Sequence, residues 1–106
     1  MKGAERLLWY ISKRKDGGLH FRLFAEGTYP IPYVCSDADW ASNKETRKGT
    51  GAYLWTISCP GTNSSNTAVS WSSKQQSTVA LSSTEAEYMA LTQACKEAIW
   101  VQRLLR

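Results

Sequence analysis

Residues 82–105, with the sequence SSTEAEYMALTQACKEAIWVQRLL, predict one long helix around which the rest of the fold is arranged. Ser82 and Glu85 have the spacing of a capping box, in which both side chains satisfy free backbone groups at a helix start. No glycine or proline follows, so the helix is expected to continue to about Leu105. One apolar stripe must then face the sheet, and it consists of Leu91, Ala94, Ala98, Val101 and Leu105.

Glu87 lies on the same stripe, one turn closer to the start of this helix. It is therefore predicted to point inward, whereas Glu85 caps the helix and faces solvent. A carboxylate at the head of an apolar stripe needs a cation, hydrogen-bond donors or a metal ion beside it, because an unpaired buried charge is costly.

Three short strands are predicted before this helix. The first begins after Pro32 and places Asp37 and Asp39 on one face, since alternate residues of a strand share a face. Sequential strands with short connections are usually neighbours, so an antiparallel three-stranded meander is expected. The predicted strands are residues 33–39, 49–57 and 67–72, separated by polar, turn-rich connections at 40–48 and 58–66.

The first 30 residues are interpreted as a leading segment, and residues 31–106 as the main folded part. Leu19 and Phe21 alternate with polar residues, which predicts a short strand reaching Leu23. The run Asp16-Gly17-Gly18 predicts the end of a preceding amphipathic helix. The apolar face of that helix is formed by Ala4, Leu7, Leu8 and Ile11.

Length and composition favour a single small globular domain: the chain has 106 residues, of which 42% are hydrophobic and 21% charged. The net charge of +4 weakly favours a polyanionic partner, although many basic domains never bind nucleic acid. Three well-separated cysteines without a CxxC pair indicate neither a disulfide framework nor a zinc site. With no signal-peptide run and no membrane-length apolar stretch, we expect an intracellular protein that is neither secreted nor membrane-bound.

Three carboxylates are the candidate metal ligands: Asp37 and Asp39 at the end of the first strand, and Glu87 on the long helix. Oxygen ligands from separate elements suit magnesium better than zinc. An ordinary network of hydrogen-bonded carboxylates remains the main alternative explanation for these residues.

Other polar and aromatic side chains have structural explanations. The basic loop of Lys44, Arg47 and Lys48 either contacts a phosphate backbone or is simply solvated. His20 is expected to be an exposed histidine, and no role is assigned to Trp40. Packing in the core or along a groove, rather than base stacking, is expected of the remaining tryptophans, Trp9, Trp55, Trp71 and Trp100.

Four stretches of the chain carry a family resemblance: ERLLWYISKRKDGGLHF at 5–21, YVCSDADWAS at 33–42, TRKGTGAYLW at 46–55 and AVSWSSKQQSTVALSSTEAEYMALTQACKEAIW at 68–100. Together they resemble, in the same order, the ribonuclease H (RNase H) region of copia-type retrotransposon Pol polyproteins. The chain departs from the family where Ser42 replaces a frequent glycine and where TRKGTGAY replaces a run similar to RRSTSGY.

This resemblance implies a partial RNase H-like fold of the α+β or α/β class: an N-terminal helix, the meander, and the long helix packed on the sheet. It also implies hydrolysis of RNA in RNA/DNA hybrids by two Mg²⁺ ions, or Mn²⁺, held by four carboxylates. Asp37, which follows a small hydroxyl residue, matches the first carboxylate, and Glu87 matches the second. The third and fourth have no counterpart, and Asp39 is at most an additional ligand because it shares a strand with Asp37.

The expected partners follow from the same resemblance. Residues 1–30 would tether the domain to the reverse transcriptase portion of the polyprotein, and an RNA/DNA hybrid would be the substrate. The chain is expected to be C-terminally truncated and inactive alone, with self-association through the open edge of the sheet. The alternative is a degenerate or domesticated remnant that acts as a nucleic-acid or protein binding module.

Overall fold

The computed structural model describes residues 2–21, 26–58 and 66–106. Within these ranges the chain forms two helices and one sheet, as the sequence predicts. The sheet is an antiparallel meander of order β1-β2-β3, which makes β1 an edge strand. The elements are α1 (Lys2–Lys13), β1 (Ile31–Ala38), β2 (Thr50–Ser58), β3 (Thr67–Gln75) and α2 (Ser83–Leu104).

Two strand limits differ from the prediction by more than one residue. The strand β1 begins two residues early and includes Pro32 opposite Ile57, which is possible because an edge strand does not need every backbone N–H for a ladder. The strand β3 continues past Ser72 to Gln75, which pairs with Thr50. Its last residues, Ser-Lys-Gln, show no apolar alternation, so cross-strand hydrogen bonding rather than side-chain pattern extends it.

The helix α2 packs across β1 and β2 through small side chains. At Gly51 an added Cβ would lie 3.4 Å from the Ala90 Cβ, so helix and sheet approach closely where neither has a large side chain. Opposite the C-terminal half of the helix, Trp55 is buried. The buried residues of α2 are Ala86, Ala90, Ala94 and Val101.

The predicted stripe was therefore correct in its middle and wrong at both ends. Ala94 and Val101 are buried as predicted and Ala98 is half-buried, whereas Leu91 and Leu105 are 42% and 44% exposed. The buried stripe instead starts at Ala86 and passes through Ala90. Glu87 is exposed, because it lies about 100° around the helix from Ala86.

The start of α2 agrees with the predicted capping box in all but one contact. The Ser82 hydroxyl accepts a hydrogen bond from the Glu85 backbone N–H at 3.1 Å. The Glu85 carboxylate accepts from the Leu81 N–H at 2.6 Å, one residue before the donor that a capping box normally uses. Glu85 is thus the exposed capping residue that the sequence predicts.

The helix α1 is amphipathic as predicted, but no residue of Lys2–Lys13 is buried and α1 contacts no other described helix or strand. Residues 19–21 do not form the predicted strand, and Leu23 lies outside the described residues. A side chain rather than a backbone ladder makes the contact described there: the hydroxyl of Thr67, the first residue of β3, donates to the His20 carbonyl at 3.2 Å. His20 is exposed, as predicted.

Packing in the core or along a groove is predicted for four tryptophans, and Trp55 is the one of them that is buried in the core. Trp9, Trp71 and Trp100 are all more than half exposed and do not pack in the core. Trp71 lies on the open face of the sheet, aligned with Leu54 of β2 and Cys35 of β1. No helix in the described ranges has the length and hydropathy needed to cross a membrane.

Candidate functional site

An open cleft of about 530 Å³ lies where β1 meets the first turns of α2. We call it the carboxylate cleft because two of the predicted site residues, Asp37 and Glu87, line it. They come from elements 50 residues apart in sequence, so the fold rather than local sequence brings them together. The complete lining is Ser36, Asp37, Thr84, Glu87, Tyr88 and Leu91.

Asp37 occupies the last but one position of β1, opposite Ala52 of β2. One carboxylate oxygen, Oδ1, accepts a hydrogen bond from the Ala38 backbone N–H at 2.9 Å. The side chain is exposed because β1 is the edge of the sheet. Its backbone is held in the β1–β2 ladder, so the carboxylate extends from a rigid element into solvent.

Glu87 reaches the carboxylate cleft from the first full turn of α2. The neighbouring Ala86 is fully buried against the sheet, and its carbonyl accepts a hydrogen bond from Gln76 Nε2 at 2.9 Å. This contact fixes the helix turn from which Glu87 projects. Since Glu87 is exposed, burial does not force it to take a partner, and the grouping with Asp37 rests on the shared cleft instead.

Asp39 has a structural role at the end of β1. Its carboxylate accepts a hydrogen bond from the Thr50 backbone N–H, and its own N–H donates to the Thr50 carbonyl at 3.0 Å. It is not among the residues that line the carboxylate cleft. The side chain predicted as an additional ligand therefore clamps the end of β1 to β2.

The donor set of the cleft suits a single hard cation that keeps most of its water ligands. Two acidic residues line it together with the hydroxyl residues Ser36 and Thr84, and oxygen ligands of this kind suit Mg²⁺ or Mn²⁺. Within the described ranges no group of three histidine, cysteine or acidic side chains is close enough to hold a metal ion. Two carboxylates without a third ligand fit weak binding better than a tight two-ion site.

The predicted basic residues lie on a compact loop and are not among the residues that line the cleft. The Asn43 side-chain oxygen accepts from the backbone N–H groups of Glu45 and Thr46 at 2.9 and 3.0 Å, which closes the loop. Arg47 adopts a left-handed backbone conformation with φ of 58°. The side chains of Lys44 and Arg47 are exposed and that of Lys48 is half-buried, so the loop is available to a phosphate backbone.

Two residues that support the site were not predicted. Gln76 is 9% exposed, donates its backbone N–H to the Gly49 carbonyl at 2.8 Å, and links β3 to α2 through Ala86. Trp40 donates its indole N–H to the Ala80 carbonyl at 2.9 Å. Gln76 lies in a polar run without periodicity, so the sequence does not indicate its role. For Trp40, the position directly after the acidic residues is the one feature of the sequence that could have pointed to the site.

Comparison with known proteins identifies relatives along nearly the whole chain. A secreted RxLR effector protein, number 161, from Plasmopara viticola is 43% identical over 100 residues, covering 94% of this chain and 63% of the effector. The retrovirus-related Pol polyprotein from tobacco transposon TNT 1-94 is 45% identical over 80 residues, or 76% of this chain. The Pol polyprotein from Arabidopsis thaliana transposon RE1 is 30% identical over 105 residues, or 99% of this chain.

These matches cover very different fractions of the relatives' own lengths. The chain spans 6% of the length of each of the two Pol polyproteins, so it corresponds to one small region of them. No protein-family model matches the chain. No solved structure matches it either.

Proposed function

Because the chain is a Pol-derived sequence of the copia-type retrotransposon family, we propose that residues 31–106 belong to an RNase H-like domain whose carboxylate cleft binds a divalent cation. In a complete domain this site would hydrolyse the RNA strand of an RNA/DNA hybrid. The observation that carries the proposal is that Asp37 and Glu87, the two residues the resemblance assigns as ligands, line the same cleft.

Residues of the cleft and of the basic loop would have separate roles in binding the cation and the nucleic acid. Asp37 and Glu87 would hold Mg²⁺ or Mn²⁺, and Ser36 and Thr84 offer hydroxyls to its bound water. When bound, such an ion lowers the pKa of a coordinated water and stabilises the leaving oxygen of a phosphodiester. The exposed loop residues Lys44 and Arg47 would bind the nucleic-acid backbone through its phosphates.

We expect this chain to bind a divalent cation without hydrolysing RNA. Two-metal hydrolysis depends on ligands that fix both ions, and the cleft is lined by two carboxylates rather than the four that the resemblance implies. We therefore propose weak cation binding without appreciable hydrolysis by the isolated chain. Residues 1–30 would connect it to the reverse transcriptase portion of a polyprotein, which would act inside the cell.

Manganese titration tests the cation site directly. Mn²⁺ broadens nuclear magnetic resonance signals of nearby residues, so the parent should lose signals around Ser36 and Thr84 first. Asp37→Asn and Glu87→Gln should each abolish that selective broadening, while Glu45→Gln, which changes an exposed loop carboxylate, should not. Broadening that persists in both cleft variants would refute the assignment.

A cleavage assay tests the absence of hydrolysis. The purified chain is incubated with a labelled RNA/DNA hybrid and Mg²⁺ or Mn²⁺, beside Asp37→Asn and Glu87→Gln as controls for contaminating nuclease. We expect the same background from all three proteins. Cleavage by the parent that both substitutions remove would show that a second copy, or a residue such as Asp39, completes the site.

A second candidate function is a binding module without catalysis, which the exposed apolar face of α1 and the basic loop favour. Leu7, Leu8 and Ile11 are each more than half exposed, and α1 contacts no other described element. Hybrid binding by gel shift in the presence of a chelator distinguishes the candidates. Binding unchanged by Mg²⁺ but lost in a Lys44→Ala/Arg47→Ala variant would favour the module over the cation site.

A further inference from the structure

Trp40 joins the two halves of the site through one long-range hydrogen bond. Its indole N–H donates to the Ala80 backbone carbonyl at 2.9 Å, which connects the chain after β1 to the segment before α2. Trp40 is the third residue after Asp37, and Ala80 is the seventh residue before Glu87. The bond therefore links the two chain segments that carry the cleft carboxylates, in addition to the packing of α2 on β1.

The chain between Asp37 and this hydrogen bond is held in place by further contacts. The residue before Trp40, Asp39, is fixed to Thr50 by its backbone N–H and by its carboxylate. Just after Trp40, Ala41 adopts a left-handed conformation with φ of 53°, which turns the chain away. A shift of Trp40 would thus be transmitted to the end of β1 rather than absorbed by a loose loop.

The other side of the bond is equally constrained. Ala80 is 3% exposed although its neighbours in sequence are exposed, and its contact with Trp40 is part-buried, so water does not easily replace a lost hydrogen bond there. Between Ala80 and Glu87, Leu81 donates its N–H to the Glu85 carboxylate and Ser82 caps the helix. These local contacts make the start of α2 a rigid unit that follows Ala80.

The exposure of Trp40 separates this role from ordinary core packing. The side chain is 53% exposed, so much of the ring contributes little apolar burial, whereas its N–H is used in a part-buried contact. Trp100 offers a matched comparison because it is 56% exposed and lies on the far half of α2.

We propose that Trp40 is a positioning residue that sets the spacing between Asp37 and Glu87. The spacing itself is a property of the fold, and only its effect on cation affinity rests on the proposed function. Removing the indole N–H while keeping an aromatic ring should let the end of β1 move relative to the start of α2.

The spacing is measured without any metal ion. In a background with Cys35, Cys59 and Cys95 changed to serine, Asp37→Cys and Glu87→Cys carry spin labels whose dipolar broadening reports their separation. Adding Trp40→Phe should widen the distribution of separations, and adding Trp100→Phe should leave it unchanged. Equal distributions for the Trp40→Phe protein and its parent would overturn the proposal.

The consequence for the site is measured with native carboxylates. Trp40→Phe should weaken Mn²⁺ binding roughly threefold to tenfold, the effect of losing one hydrogen bond, while Trp100→Phe should not change it. If the parent binds no Mn²⁺, the proposed function fails while the spin-label result still decides the role of Trp40. Loss of the helical circular dichroism signal in Trp40→Phe would also overturn the proposal, because Trp40 would then be required for folding rather than for positioning.

Discussion

Replacing Gly49 with alanine is expected to destabilise the protein by about 2 to 3 kcal/mol. Gly49 is buried beside the end of β1. An added Cβ would overlap the Asp39 carbonyl oxygen, and it would lie 3.1 Å from Asp39 Oδ1 and 3.2 Å from the Asp39 carbonyl carbon. Two of these three atoms are backbone, so they cannot rotate out of the way and the strand end itself must move.

That movement would disturb hydrogen bonds on both sides of Gly49. The Asp39 N–H donates to the Thr50 carbonyl at 3.0 Å, and the Gln76 N–H donates to the Gly49 carbonyl at 2.8 Å. Each such bond contributes about 0.5 to 1.5 kcal/mol net, so their partial loss together with overpacking gives the stated magnitude.

Gly51→Ala is the matched control, two residues away on β2. Its Cβ would lie 3.4 Å from the Ala90 Cβ and 3.5 Å from Gln76 Nε2, which are tolerable contacts with side-chain atoms. We expect a change within about 1 kcal/mol, since the reduced entropy of the unfolded chain offsets the tighter packing. Urea titrations followed by far-ultraviolet circular dichroism measure both variants. A Gly49→Ala midpoint equal to that of the parent, or a larger loss for Gly51→Ala, would contradict the reasoning.

Three further predictions concern single side chains. Ser82→Ala should cost about 1 kcal/mol in the free energy of unfolding by urea, because it removes the hydroxyl that caps α2, and Ser83→Ala should cost less. Leu8→Glu should leave the urea midpoint within about 0.5 kcal/mol of the parent, since Leu8 is 67% exposed on a helix that contacts no other described element; a large loss would show that α1 packs in solution. Gln76→Leu should destabilise by about 1 to 3 kcal/mol in the same assay, because it leaves the buried Ala86 carbonyl without its side-chain donor; an unchanged midpoint would show that the donor is replaceable.

The elements of this fold could be predicted wherever one local rule was sufficient. The spacing of Ser82 and Glu85 located the start of α2, and the turn-rich connections separated three strands that pair as neighbours. The end of β3 could not be predicted, because Ser73 and Lys74 join the sheet through backbone pairing with β2, which leaves no side-chain pattern.

The packed face of α2 shows why periodicity alone placed Glu87 wrongly. The stripe was drawn through the large side chain of Leu91, but the helix instead packs through Ala86 and Ala90, because Gly51 allows the backbones to approach. Side-chain size on the sheet therefore decided the rotation of the helix, and this information lies about 40 residues away in sequence. The pairing of Glu87 with Asp37 in one cleft was anticipated from the family resemblance, although the burial argument for it was wrong.

Asp37 and Asp39 have identical side chains but different roles, because they occupy different positions at the end of β1. Asp37 lies within the β1–β2 ladder, where backbone groups of β2 already have strand partners, so its carboxylate does not clamp β2, and the residue lines the cleft. Asp39 lies one residue past the last residue of β1, and its carboxylate takes the Thr50 N–H. A cation that approached Asp39 would have to compete with that hydrogen bond and loosen the clamp that holds β1 to β2. The strand end thus favours Asp37 over Asp39 as the partner of Glu87, which neither spacing nor charge in the sequence could decide.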